Sequence, residues 1–487
     1  MSTLPLPISH TKAAKFHDGE EKDRPTLTNQ AATNTVVMSY ARDEWVQRKL
    51  GERESEFMEF SNLQIFCGTF NANGKSPASI DIAQWLQGGE QDPAQMKDCY
   101  VCSFQEIVDL NAANVLAEGH STKRTTQWAN IIRQTLNRMA PVEVGSGGGR
   151  GESSGFGGSF DGGGGGSSED WGPTSANNHR SNHGSSHVEE GKHNEDPNNQ
   201  GAYRLIASKY LVGIAIVAFV KAEHVLNVRD VQVQTAGIGI GGFVGNKGAA
   251  SLRFTYGNSS ICFVSSHLSA HRGAVGSRNS DYTNILNKVQ FKDRMKEDGS
   301  SISILDHDYV FWLGDLNYRI QVNISTEECY RRIRSNQPTD LTWLRSQDQL
   351  NIERNAGRVF VPFQEGVLNF LPTYKYIPGE NRYDDRPDKK MRAPAWCDRI
   401  LWYCRTGSDS ENDKGTKLIR QTAYQREDSI LISDHKPVYG VFHVQVKMIV
   451  KQQQKRVYNE LMRGKRDREK RKHSSIEVCL MCLMFDV

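Results

Sequence analysis

Five short strings place chemically capable polar side chains directly after or before apolar runs. Gly68-Thr69-Phe70-Asn71-Ala72-Asn73-Gly74 follows the apolar run Leu63 to Cys67, and Phe104-Gln105-Glu106-Ile107-Val108 leaves a lone carboxylate after another. Trp312-Leu313-Gly314-Asp315-Leu316-Asn317-Tyr318-Arg319 follows Tyr309 to Leu313, Pro394-Ala395-Trp396-Cys397-Asp398 supplies a further carboxylate, and Ser433-Asp434-His435-Lys436-Pro437-Val438 sets a carboxylate beside an imidazole. Strand ends are where a sheet holds side chains at its rim. In extended chain Asp315 and Asn317 point to one side, so a base and a hydrogen-bond donor can address one reacting group, while Asp398 can orient the His435 imidazole. Taken singly, each string has a blander reading: a strand-end Glu is usually solvated or ion-paired, and an Asn usually forms a turn. Taken together, few carboxylates with neutral Asn and His suit a magnesium ion that keeps most of its waters and binds through one or two carboxylates plus a substrate phosphate. A zinc site would want more His and Cys, and the CxxC pairs Cys99/Cys102 and Cys479/Cys482 have no matching histidine spacing.

The elements that position these residues are mostly strands. Runs at Leu63 to Phe70, Tyr100 to Phe104, Leu211 to Val220, Ser251 to Tyr256, Ile261 to Ser266, Tyr309 to Leu313, Arg399 to Tyr403 and Val438 to Val444 read as strands. Thr126 to Met139, Ser280 to Met295 and Thr339 to Leu350 read as helices. So many strands interleaved with helices predict an α/β (α+β) fold in which one sheet packs on another. With 487 residues, one large domain plus additions is expected, over about residues 61–446. A Gly-, Ser-, Asn- and His-rich insertion at 145–201 interrupts it; that composition cannot bury enough apolar surface to order itself. Residues 1–60 read as a polar, disordered extension with a short helix around Asp43 to Phe60, and 447–487 as a basic tail.

The formal net charge is only +3, so any attraction to a polyanion must come from local clustering. The one cluster is Lys451 to Lys472, with ten basic and three acidic side chains. It reads first as a solvated helical face, and second as a nuclear-import or anionic-lipid patch. Nine cysteines without a disulfide-scaffold spacing imply a reducing compartment. The first residues lack the apolar stretch of a signal peptide, and the longest apolar run, Leu211 to Val220, is half of the roughly 20 residues that span a bilayer. The expectation is a cytoplasmic or nuclear monomer with peripheral membrane contact through the basic tail.

In this order, GTFNANG, FQEIVDLNAANVL, GFVGNKGA, SSHLSAH, FWLGDLNYRI, PTYKY, RAPAWCDRILW and SDHKPV resemble the catalytic domain of the inositol polyphosphate 5-phosphatases, over about residues 62–444 without the insertion. The FQEIVDLNAANVL form and the insertion look most like plant or algal members. The resemblance implies the deoxyribonuclease I-like fold, two mixed β-sheets stacked as a sandwich and flanked by helices. It implies magnesium-dependent removal of the 5-phosphate of inositol polyphosphates or phosphoinositides, that is, phosphatidylinositol dephosphorylation in lipid signalling. By position, Asn71 and Glu106 match the magnesium-binding pair and Asp434 its outer shell. Asp315 matches the base, Asn317 its neighbour orienting water or phosphate, and His435 the imidazole that stabilises the phosphoryl charge. Asp398 matches the partner of His435, and His267 a phosphate donor. Tyr374, Lys375, Lys390 and Arg392 match a grip on the 4-phosphate, and Asn246 and Lys247 contacts nearer the 1-phosphate. Lys436 stands where the family commonly has Arg, and GTFNANG has Phe and Ala where Trp or Tyr and Val are usual; neither change meets a catalytic atom.

Other readings fare worse. A nuclease of the same fold would want a broad basic surface rather than a 4-phosphate cluster, so no nucleic acid is expected. A silent lipid-binding module would have lost Asn71, Glu106, Asp315 or His435, and a sphingomyelinase-like phosphodiesterase should lack the pair Lys390 and Arg392. Cys397 has no phosphate-cradling loop around it and reads as packing.

Overall fold

The computed structural model describes residues 44–140 apart from 79, 91, 93–94 and 109–117, residues 201–405 apart from 239–246, 295–297, 336, 387 and 390, and residues 418–484. Asn246, Lys390 and residues 145–200 of the Gly-rich stretch lie outside them. Two compact units result: Glu59–Ile449, and Met1–Met58 together with Val450–Val487.

In chain order the elements are α1 (Glu44–Glu52), β1 (Met58–Asn71), α2 (Ala83–Gln87), β2 (Cys99–Gln105), α3 (Glu118–Met139), β3 (Tyr203–Leu211), β4 (Ile214–Lys221), β5 (Val228–Gly237), β6 (Gly248–Tyr256) and β7 (Ser259–His267). They continue with α4 (Val275–Lys288), β8 (Gln290–Lys292), β9 (Ser301–Ser303), β10 (Tyr309–Asp315), α5 (Thr326–Ser335), α6 (Pro338–Ser346), α7 (Gln349–Asn355), β11 (Gln364–Glu365), β12 (Asp398–Cys404), β13 (Ile419–Arg426), β14 (Val438–Ile449) and α8 (Lys451–Met484). One six-stranded sheet has the order β13-β14-β1-β2-β4-β3 and the other β11-β12-β10-β7-β6-β5. Both are mixed: β1 and β2 run parallel, as do β10 and β7, whereas β2–β4 and β10–β12 are antiparallel.

Side-chain alternation explains the layers. On β10, Tyr309, Phe311 and Leu313 join a core shared by both sheets, while Val310 and Trp312 face outward into a cluster with Tyr282 and Ile285 of α4. On β1, Leu63, Ile65 and Cys67 enter the shared core, while Phe66 and Phe70 meet Trp85 of α2 and Trp128 of α3. Strands buried on both faces read as continuous apolar runs, which is why the sequence revealed them.

Several boundaries differ from expectation. The run Leu211 to Val220 is not one strand, because Gly213 adopts a φ of 75° and turns β3 back as β4. The helix expected at Ser280 to Met295 starts at Val275 and stops at Lys288, since Gln290–Lys292 pairs with Ser301–Ser303. The one expected at Thr339 to Leu350 breaks at Asp348, whose carboxylate accepts the Asn351 N–H at 3.0 Å and caps α7. The short helix expected around Asp43 to Phe60 is α1, whose Val46 and Leu50 are buried, and the basic tail forms α8.

A buried histidine in this scaffold makes stability depend on pH. Arg253 donates to His307 Nε2 at 2.9 Å and His307 Nδ1 donates to the Ile304 carbonyl at 3.0 Å, so the ring is neutral. Burial pushes its pKa down from 6.5 to about 4. The unfolded ring binds its proton first, so this contribution is complete above pH 6.5 and is lost as pH falls toward 4, by roughly 3 kcal/mol. Urea titrations across that window should show a shallower loss for His307→Gln than for wild type; equal slopes would remove His307 from the account.

Candidate active site

Continued alternation delivers the polar side chains. Inward positions on β1 run from Leu63, Ile65 and Cys67 to Thr69 and Asn71; on β7 they reach Ser265 and His267; on β10 they reach Asp315. Register places Asp315 opposite His267 on one side and Asp398 on the other. That approach needs Gly314, where at a φ of 148° a Cβ would stand 1.9 Å from the Ser266 carbonyl oxygen. Beneath the charged groups lies a layer of hydroxyls and amides. Ser103 and Ser265 share a 2.7 Å hydrogen bond between the sheets, Gln105 donates to Ser103 at 2.7 Å, and Thr69 donates to Gln105 at 3.3 Å.

Above that layer, Asn71 Nδ2 donates to Asp315 Oδ2 at 3.0 Å and to Glu106 Oε1 at 3.3 Å, joining carboxylates from the two sheets. His267 Nε2 lies 3.3 Å from Asp315 Oδ2, with the Lys247 ammonium against the same nitrogen. His435 Nδ1 contacts Asp398 Oδ2 at 2.9 Å, and its Nε2 lies 3.9 Å from Asp315 Oδ2. Glu106, His267, Asp315, Asn317, Asp434 and His435 face one cavity of about 140 Å³.

The charges follow from these neighbours. Burial would raise the Asp315 pKa, but the His267 contact and the charges of His435 and Lys247 outweigh it and hold the carboxyl well below its usual range. Burial likewise opposes a charge on His435, yet Asp398, then Asp315 and Asp434, lift it to about 9. Burial leaves Asp398 above its usual range although His435 pulls it down; with the ring raised to about 9 and 2.9 Å away, the pair at neutral pH is imidazolium and carboxylate. Burial and Lys247 keep His267 neutral, and burial lowers Lys247 to about 8.

Asp315, Asp398 and His435 hold ligand atoms within 4.8 Å of one another, but His435 Nδ1 and Asp398 Oδ2 are committed to each other. The oxygens left facing the cavity belong to Asp315, Glu106 and Asp434, beside the Asn71 amide. This hard, oxygen-rich set fits a divalent cation.

Arg319 was missed by sequence reasoning although it ends the same string as Asp315. Its guanidinium lies 4.2 Å over the Tyr374 ring, which packs 4.6 Å from the His435 ring. Arg319 and Tyr374 line both the inner cavity and an adjoining one of about 320 Å³, which Arg392 also lines. Lys375 lines neither, because its ammonium is drawn to Asp384 at 3.6 Å. Thr373 and Ser433 were also missed: Thr373 donates to Asp398 at 2.6 Å, and Ser433 donates to the Asn71 carbonyl at 2.7 Å while accepting the His435 N–H at 3.1 Å. Both immediately precede residues that were singled out.

One inference about local geometry is corrected. Asp315 and Asn317 do not lie in extended chain: Asn317 has a φ of 56°, and its N–H donates to Asp315 Oδ1 at 3.0 Å. Asn73 and Glu106 are also left-handed, at φ 47° and 49°. Asn tolerates that region; Glu does so at a cost that its surroundings must offset. Cys397, Cys99 and Cys102 are free and buried, and burial pushes all three thiols up, away from nucleophile or ligand chemistry.

Residues 177–441 match the family model described as Endonuclease/Exonuclease/phosphatase family 2. The chain is similar to the type I inositol polyphosphate 5-phosphatase 8 of Arabidopsis thaliana, with 34% identity over 79% of this chain and 71% of that protein. It is also similar to synaptojanin-2 of Rattus norvegicus, with 30% identity over 85% of this chain, and it spans about a quarter (25%) of that relative's length. Among solved structures it resembles the inositol polyphosphate 5-phosphatase domain of SPsynaptojanin in complex with inositol (1,4)-bisphosphate and calcium ion. The TM-score is 0.61 at 28% identity, covering 88% of this chain and 98% of that one. With the two mixed sheets and the strand-end constellation in place, the chain belongs to the inositol polyphosphate 5-phosphatases of the endonuclease/exonuclease/phosphatase superfamily.

Proposed function

We propose that this chain is a magnesium-dependent phosphomonoesterase that removes the 5-phosphate of inositol polyphosphates or of phosphoinositides such as phosphatidylinositol 4,5-bisphosphate. The observation that carries this reading is the row Asp398, His435, Asp315, tied by Asn71 to Glu106, in one cavity. The calcium and inositol bisphosphate in the SPsynaptojanin domain support a divalent ion and an inositol phosphate at such a site.

Asp315 is ionised at neutral pH, and Asn71 and the Asn317 N–H fix one oxygen each, so it is oriented to take a proton from the attacking water. His435, held charged by Asp398, donates toward the phosphoryl oxygens, where in-line displacement builds negative charge. His267 and Lys247 line the same cavity. Glu106 and Asn71 would hold magnesium, with Asp434 in its outer shell; when bound, the ion supplies neutralisation of the phosphoryl charge. In the outer cavity Tyr374 and Arg392 grip the 4-phosphate.

Phosphate release is measured with magnesium, with and without chelator, from inositol 1,4,5-trisphosphate, from phosphatidylinositol 4,5-bisphosphate vesicles and from an abasic duplex. Chelator-sensitive release from an inositol substrate with the duplex intact is expected; cleavage of the duplex alone would overturn the reading. In the same assay Arg392→Ala should lower kcat/KM by roughly 10- to 100-fold on substrates bearing a 4-phosphate and far less on those lacking it. Equal losses would detach Arg392 from that phosphate.

A further inference from the structure

The smaller unit has a feature that the catalytic reading leaves unused. The long helix α8 packs on α1, with Val46, Leu50, Phe57 and Val457 buried. The Val450 N–H donates to the Phe57 carbonyl at 2.8 Å, and Arg53 pairs with Glu460 at 2.8 Å. Leu461 and Gly464 are half-buried on the same side as Val457, and the Trp45 ring of α1 takes Lys465 at 5.7 Å and Arg468 at 5.1 Å. The inner face of α8 is therefore occupied.

The outer face is different. Lys455, Asn459, Arg463, Arg466 and Lys470 are all exposed, and their spacing of four, four, three and four residues puts them on one stripe opposite Val457. At 1.5 Å per residue the stripe is about 22 Å long. Among the described residues no carboxylate pairs with Lys455, Arg463, Arg466 or Lys470, whereas Arg456 at the margin pairs with Glu460 at 3.2 Å. A solvated helix usually intersperses both signs along its face. In this one the stripe itself carries no acidic residue, exposed Asp467 lying at its edge, and the apolar Met462 beside it is half-buried, so contact with a partner is electrostatic and superficial.

We infer that this stripe of α8 docks on the anionic leaflet of a lipid bilayer. The choice of partner rests on the proposed phosphoinositide reading, since that substrate lies in an anionic leaflet and a flat row of cations matches its charge. Nucleic acid is disfavoured by the net charge of +3 and by the narrowness of the basic surface.

The test uses the full chain and sedimentation with phosphatidylcholine vesicles, with and without phosphatidylserine. Each exposed Lys or Arg near an anionic leaflet strengthens binding by about fivefold. Lys455→Gln, Arg463→Gln, Arg466→Gln and Lys470→Gln combined should weaken binding to the anionic vesicles by roughly 600-fold, Gln being as good a helix former. Lys455→Arg, Arg463→Lys, Arg466→Lys and Lys470→Arg combined should keep binding, which separates charge from folding. Turnover of soluble inositol 1,4,5-trisphosphate should be unchanged in both. Failure of the wild type to bind anionic vesicles, equal binding by the Gln variant, or stripe-dependent binding to RNA or duplex DNA in place of vesicles would each overturn the inference. Loss of the soluble activity in the wild type would instead sink the catalytic reading, whatever the vesicles show.

Discussion

Asp315→Asn is expected to lower turnover of inositol 1,4,5-trisphosphate by roughly 10²- to 10⁴-fold, the usual worth of a positioned general base. The amide keeps the volume of the carboxylate in a buried setting, so the fold should persist by circular dichroism and calorimetry. What it loses is the capacity to take a proton at the point where Asn71, His267 and the Asn317 N–H converge. It also removes one of the charges that keep His435 protonated to about 9, so the imidazole should titrate at lower pH in the variant. Near-wild-type turnover would exclude Asp315 as the base. Equal falls in kcat and kcat/KM would place the lost interaction in the transition state.

Arg399→Leu is expected to destabilise the protein by about 3–5 kcal/mol, the range for breaking a buried ion pair by removing one partner. The Arg399 side chain is fully buried and donates to Asp348 at 2.9 Å and to Glu365 at 2.6 Å and 2.8 Å. Leucine would leave two buried carboxylates without their main counter-charge. Arg354 at 3.3 Å and Tyr424 at 2.9 Å reach only Glu365, and Asp348 Oδ2 has no hydrogen-bond partner among the described residues even now. Urea denaturation would measure the loss, and a shift under about 1 kcal/mol would show that the network relaxes or that water enters. Because Arg399 follows Asp398 directly, the string that carries the partner of His435 also carries an anchor of the second sheet. A stability defect here should be separated from a catalytic one by assaying well below the unfolding midpoint.

What the sequence revealed and what it hid divides along physical lines. The strands read correctly, such as β2, β7 and β10, are interior to their sheets and almost wholly buried, so each carries an unbroken apolar run such as Ile261 to Val264 or Tyr309 to Leu313. The longer ones missed, β5 and β13, are edge strands, and their burial alternates weakly with exposed residues between. β3, the third edge strand, merged with β4 because a two-residue turn at Val212 and Gly213 leaves the apolar run unbroken. At the site, Asn71, Glu106, Asp315, Asp398 and His435 were legible because each stands out by type against an apolar strand. Arg319, Thr373 and Ser433 were not, since their roles depend on partners such as Tyr374, Asp398 and Asn71 that only tertiary structure brings near. The false extended geometry of Asp315 and Asn317 has a similar origin: nothing local announces that the chain turns left-handed two residues past the strand.

The strand order holds a consequence for how this protein comes into being. The first sheet is built from both ends of the catalytic unit, and β14, near its end, lies between β13 and β1. His435 and Asp434 sit just ahead of β14, whereas Asn71 sits at the end of β1. A nascent chain emerging in order therefore completes the whole second sheet, with Asp315, Asp398 and His267 already in register, while the imidazole that must join them is still unmade. Capacity for chemistry arrives in one late step, and until then the growing chain carries most of the site's charges with no means of using them.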